Sequence, residues 1–252
     1  RVAENAGQTT RYADLAGQQA LQSGAFKEAA DFLTLCLETE NRNGLAPPKV
    51  GPMDEARLRH MRWRRQLSDA YHGMGDVAAR GENALRAIEL GGASEPTGRG
   101  RLLLGAALKA LKALFTAGRK PSGGASAPGE RLLEMARAWR QRAAAHYFDN
   151  RAFETLYATL EAARYARLAG PTKEYACAGA ELGGCFGLAG FQRFALGLFD
   201  RSAEVAKAVG DPASASYVDM VRALYLAGLG DWQQLLECVD RAQAQAQAIG
   251  DA

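Results

Sequence analysis

The stretch Leu182-Gly183-Gly-Cys-Phe186-Gly-Leu-Ala-Gly190-Phe-Gln-Arg-Phe-Ala195-Leu-Gly-Leu-Phe199-Asp-Arg-Ser202 decides the fold. It reads as two helical runs reversed at Gly190. Before the turn a small residue, Gly183, precedes a bulky one, Phe186. After it, Ala195, Phe199 and Ser202 recur at intervals of four and three. Antiparallel helices approach closely only where facing side chains are short, and the reversal needs a residue that tolerates unusual backbone angles.

Four other segments repeat this arrangement. The first is Ala16-Gly17, Ala20 and Gly24, followed by Ala29, Leu33 and Cys36. The second is Leu67-Ser68, Tyr71 and Gly75, then Arg80, Ala84 and Ala87; the third is Ala143-Ala144, Tyr147 and Arg151, then Leu156, Leu160 and Ala163. The last is Arg222-Ala223, Leu226 and Gly230, then Leu235, Val239 and Ala242. These offsets match the tetratricopeptide (TPR) spacing. The turns at 151, 190 and 230 stand 39 and 40 residues apart, more than the roughly 34 of an ordinary TPR, so the helices are long. Ala, Leu, Arg, Glu and Gln dominate, as helix requires. The expected fold is all-α: a TPR-like α-solenoid, a right-handed superhelix of antiparallel helix pairs.

Gly170-Pro171, Gly210-Asp211-Pro212 and Gly250-Asp251 mark the ends of units, with Asp211 placed to cap the following helix. The pattern breaks once. Residues 101–118 form an apolar helix (Leu102, Leu103, Leu104, Leu108, Leu111, Leu114, Phe115) carrying Lys109 and Lys112. Its broad stripe favours core packing over a membrane surface. A Gly/Ser/Pro-rich stretch follows. The expected organisation is therefore 1–118 as TPR-like units plus an extra helix, 119–129 as a flexible loop, and 130–252 as further units of one continuous solenoid.

No nucleotide loop, zinc-protease helix, EF-hand or nucleophile elbow occurs. The glycines at 183–190 fall at helix-packing positions with no preceding strand. His60, His72 and His146 are scattered, and Trp63, Trp139 and Trp232 sit near repeat positions, where core filling is expected. Cys36, Cys177, Cys185 and Cys238 lack metal or disulfide spacing and read as small hydrophobes in a cytoplasmic protein. No charge-free apolar run is long enough to span a membrane. Expected are no enzyme activity, no cofactor, no metal, no nucleic acid and no membrane.

The net charge of +3 masks an uneven distribution. Residues 99–142 hold ten basic side chains against two acids, whereas 200–252 hold eight acids against four bases. The surface thus becomes the place to look for function. Residues on the first helix of each unit, spaced by three and four, line the inward face. They are Arg62, Arg65, Asp69 and His72 in the second unit, Gln141, Phe148 and Asp149 in the third, and Tyr217 and Met220 in the fifth. An arginine pair beside a histidine and an aromatic suits an acidic, partly apolar peptide. The alternative is a merely solvated face or an intramolecular contact.

Two longer stretches carry a family resemblance. Arg62-Trp-Arg-Arg-Gln-Leu-Ser-Asp-Ala-Tyr-His-Gly-Met-Gly75 with Ala84-Leu-Arg-Ala-Ile-Glu-Leu90 is one. Ala145-His-Tyr-Phe-Asp-Asn150, with Ala158-Thr-Leu-Glu-Ala-Ala163 and Ala169-Gly-Pro171, is the other. Both resemble the TPR-like C-terminal region of bacterial multidomain proteins that join an AAA-type ATPase to a class III adenylyl/guanylyl cyclase or another signalling output. The glycine-rich 119–129 loop departs from that pattern. The resemblance implies a regulatory arm that binds a partner protein or packs on an ATPase or cyclase domain of the same chain, and carries over no catalytic residue. A stand-alone bacterial TPR adaptor, or a helical-repeat sensor of a small-molecule effector, are the alternatives.

Overall fold

The computed structural model describes residues 2–48, 51–116 and 129–248. They form eleven helices and no strand: α1 Val2–Gln22, α2 Phe26–Arg42, α3 Glu55–Gly73, α4 Val77–Leu90, α5 Arg99–Thr116, α6 Glu130–Phe148, α7 Ala152–Ala169, α8 Lys173–Leu188, α9 Gln192–Val209, α10 Pro212–Leu229 and α11 Trp232–Ala248. Apart from Gly129, the expected 119–129 loop lies outside the described residues. The chain divides into two compact units, 1–102 with 137–158, and 103–136 with 159–252.

Five helical hairpins are closed by one device. A residue one or two positions beyond each first helix sits in the left-handed region, at Gly24, Gly75, Asn150, Gly190 and Gly230, with φ between 57° and 90°. The next N–H reaches back to the carbonyl five residues earlier: Ala25 to Ala20 at 2.9 Å, Asp76 to Tyr71 at 3.0 Å, Arg151 to His146 at 2.9 Å, Phe191 to Phe186 at 2.9 Å and Asp231 to Leu226 at 3.2 Å. This satisfies carbonyls that the helix end leaves open.

The same geometry corrects the third hairpin by one residue. Its turn residue is Asn150, not Arg151, because asparagine enters the left-handed region at little cost whereas a longer side chain does not. The turns at 150, 190 and 230 are then evenly spaced. His146 (1% exposed) takes the bulky position assigned to Tyr147, which is 56% exposed, and Ala143 rather than Ala144 is the buried small residue.

In the first unit α1 packs on α2, α2 on α3 and α3 on α4, and α1 also meets α3. Leu33, Cys36, Trp63, Leu67 and Ala70 centre its core. The second unit repeats this adjacency with α8, α9, α10 and α11 around Ala180, Ala195, Phe199, Val218 and Tyr225. Within each unit both helices of the leading hairpin touch each other and the first helix of the hairpin that follows, as in an array of stacked pairs. Asp54, Asp76, Thr172 and Asp211 cap α3, α4, α8 and α10 by accepting a backbone N–H with the side chain.

Two expectations about the core are overturned. Leu104 (63% exposed), Leu108, Leu111 and Phe115 (76%) face solvent, so most of the α5 stripe is not core; Leu102 and small Ala106 are its buried members. Trp232 is likewise exposed, because α11 leaves one face uncovered among the described residues, whereas Trp63 and Trp139 are buried as expected.

Close approach governs the sign of one substitution. A Cβ on Gly187 would collide with the Tyr225 ring, which is buried and stacked on Phe199 at 5.5 Å. Helix propensity alone makes Gly187→Ala stabilising by about 1 kcal/mol. The structure predicts a net loss of about 1–3 kcal/mol instead, from overpacking. Thermal and urea melts of the variant decide between the two signs.

Candidate functional site

Charged and polar side chains of α3, α4 and α6 form a connected strip within the first unit. Spacings of three and four along α3 put Arg62, Arg65, Asp69 and His72 on one side of that helix. Arg65 Nη1 donates to Asp69 Oδ2 at 2.5 Å, and the other Asp69 oxygen accepts from Gln141 Nε2 of α6. Gln141 Oε1 in turn accepts from Arg80 Nε of α4 at 2.7 Å. Arg80 Nη1 lies 3.0 Å from His72 Nδ1, and its guanidinium sits over the Phe148 ring at 5.9 Å. The polar groups therefore hold one another in place while His72 and Phe148 remain exposed.

Partial shielding of the ring from water, reinforced by the neighbouring Arg80 charge, pushes the His72 pKa down. A neutral ring leaves Nδ1 as the acceptor for Arg80, which fixes the tautomer. Arg62 is half-buried on the same helix, and Asp149 is exposed at the end of α6, its N–H donating to Ala145 O at 3.1 Å. Tyr217 and Met220 belong to the second unit. Tyr217 Oη donates to Glu181 Oε1 of α8 at 2.7 Å, and Met220 is exposed.

Arg80 is the member that sequence reasoning treated only as a repeat position. The equivalent residues Ala29 and Ala195 are small and buried. An arginine at a position where the other units carry alanine or leucine was itself the available signal.

Two further clusters recur at equivalent joints. In one, Glu40 accepts from Arg59 at 2.7 Å and lies 2.7 Å from His60 Nε2. In the other, Glu95 accepts from Arg142 at 2.6 Å and lies 2.7 Å from His146 Nε2. In both, the carboxylate at or just beyond the end of a second helix meets an Arg and a His on a later first helix. Burial raises the Glu95 carboxyl, but hydrogen bonds from His146 and Arg142 outweigh it and hold the pKa at about 2. At His60 burial dominates and lowers the pKa despite Glu40.

The four cysteines are free thiols. Burial pushes Cys36 up to about 12 and Cys185 up to about 11, which keeps both thiols protonated near neutral pH. Among the described residues, no group of His, Cys, Asp and Glu side chains is placed to hold a metal ion, and no helix is long and apolar enough to cross a membrane.

No protein-family model matches the chain, and no curated protein matches it in sequence. In structure it is similar to a kinesin-light-chain-like protein of Podospora anserina built from nearly identical TPR-like repeats. The TM-score is 0.51 at 15% identity, covering 94% of this chain and 95% of that one. The likeness is one of fold, and it agrees with the hairpin geometry: the chain is an all-α, TPR-like helical-repeat protein.

The Glu95 cluster gives a pH-dependent expectation. Lowering a carboxyl from 4.5 to about 2 on folding is equivalent to roughly 3 kcal/mol, reduced by solvent screening at this half-buried site to about 2 kcal/mol. That contribution is complete above pH 4.5 and is lost as the pH falls toward 2. Glu95→Gln is therefore expected to lower stability by about 2 kcal/mol at pH 7, with the gap to wild type closing through that acid window. Denaturant melts of both proteins across the acid range measure it.

Proposed function

We propose that this chain is a non-catalytic protein-interaction and regulatory array, whose first-unit strip of Arg62, Arg65, Asp69, His72, Gln141, Phe148 and Asp149 receives an acidic, partly apolar segment of a partner protein. The observation that carries this reading is the pre-arranged strip itself. Arg65, Asp69, Gln141 and Arg80 are fixed by mutual hydrogen bonds, so less side-chain freedom is lost on binding than at a loose charged face. Phe148 supplies an exposed aromatic anchor beside them. Tyr217 and Met220 offer a second, independent contact patch on the other unit.

The sequence resemblance of 62–90 and 145–171 supports a place in a larger bacterial signalling protein with an ATPase or cyclase domain, on which the array docks or through which it senses a partner. The four free thiols accord with a cytoplasmic setting. TPR-like repeats solve the general problem of presenting a long surface without building a reactive centre.

Affinity capture from source cells, with the wild-type chain and with Arg62→Glu/Arg65→Glu as bait, tests the strip. Phe148→Ala, which removes an exposed ring and leaves the hydrogen bonds intact, serves as the mild variant. Both are expected to reduce recovery of the wild-type partner at least about tenfold while melting within a few degrees of wild type. Unchanged recovery with both variants rules the strip out.

A further inference from the structure

The second unit contains a cleft that the strip does not explain. It opens among α5, α7, α8 and α9, and five cationic side chains border it: Lys109, Lys112, Arg164, Arg167 and Arg201. Its floor is apolar, made by Leu160, Leu182, Phe194 and Leu198, and no acidic residue lines it. Lys109 and Arg164 both reach one carboxylate, Glu161, the second at 2.7 Å. Lys112 and Arg201 make no ion pair among the described residues.

Cations gathered over apolar carbon repel one another, and an anion from outside relieves that repulsion. The free space is about 90 Å³. That space admits a small terminal group of a longer ligand. The adjoining side of α5 indicates what the remainder of that ligand looks like. Leu104, Leu108, Leu111 and Phe115 stand in solvent at intervals of four, three and four, the spacing that receives an apolar helix stripe. Lys112 and Thr116, which line the cleft, directly follow Leu111 and Phe115 in sequence.

We infer that the second unit binds an acidic amphipathic helix of a partner protein, its apolar face on Leu104, Leu108, Leu111 and Phe115 and a carboxylate in the cleft against Lys112 and Arg201. The inference rests on reading the chain as a protein-interaction array, but it uses a different unit and different residues from the strip. Charge selects this partner: α5 carries Lys109 and Lys112 and no acid, so a basic helix is repelled and an acidic one is drawn in.

The test uses the full chain and a fluorescein-labelled helical peptide with leucines at alternating four- and three-residue spacing and glutamates between them. Its control keeps the leucines and replaces every glutamate by lysine. Fluorescence anisotropy is expected to show saturable binding of the glutamate peptide, weakened several-fold by raising salt to ~0.5 M, and none of the lysine peptide. Lys112→Glu/Arg201→Glu is expected to weaken binding at least about tenfold, and the neutral Lys112→Gln/Arg201→Gln less, each with an unchanged circular-dichroism melt. Arg62→Glu/Arg65→Glu leaves this affinity as it was, which separates the cleft from the strip. Failure of the glutamate peptide to bind, equal binding of the lysine peptide, or full binding by the charge-reversed chain overturns the inference. So does sedimentation of the chain with phosphatidylserine vesicles in the absence of peptide binding, since the surface then faces lipid.

Discussion

The close approach of paired helices at short side chains is the constraint from which the rest of this structure follows. Gly183 illustrates it: a Cβ there would stand 3.3 Å from the Ala195 carbonyl oxygen of the facing helix. Helices that near one another must reverse within two or three residues, and the left-handed turn residue with its six-to-one hydrogen bond is what permits it. Once α8 and α9 are locked in this way, the outer side of the pair is a groove of fixed shape, which Val218 and Tyr225 of α10 fill. Stability is therefore held between neighbours and not in one central core.

Most of this was readable in the sequence because it depends on residue size and spacing, both of which a sequence displays directly. Gly183, Ala195, Phe199 and Ser202 are all buried where the pattern put them. The third hairpin slipped by one because Tyr147 resembles the bulky residue of the other hairpins more closely than His146 does. Its true filler is a histidine whose burial depends on Glu95, a residue 51 positions away in sequence. The outward stripe of α5 was misjudged for a related reason. Periodicity reports that a helix has an apolar face, but not whether anything covers it.

The candidate strip was half visible. Spacing along α3 and α6 put its members on common helix faces, but spacing could not reveal that Gln141 bridges Asp69 and Arg80, since those bonds join residues 61 and 72 positions apart. Carboxylates shielded from water are paired at such joints. Glu40 and Glu95 each engage an arginine and a histidine, an arrangement that satisfies a carboxylate in a place where an unpaired one would be costly. The hairpins are thus joined by shape within the core and by specific charge pairing at its edges.

The placement of the three indoles supplies an internal optical probe. Trp63 and Trp139 are enclosed in the first unit, whereas Trp232 opens to water in the second. Their emission separates by environment: the enclosed pair emits toward the blue and is shielded from a dissolved quencher such as iodide, and the open one emits toward the red and is quenched. Loss of the blue component therefore follows the first unit alone, while the quenchable component reports on the start of α11, without any label attached to the chain.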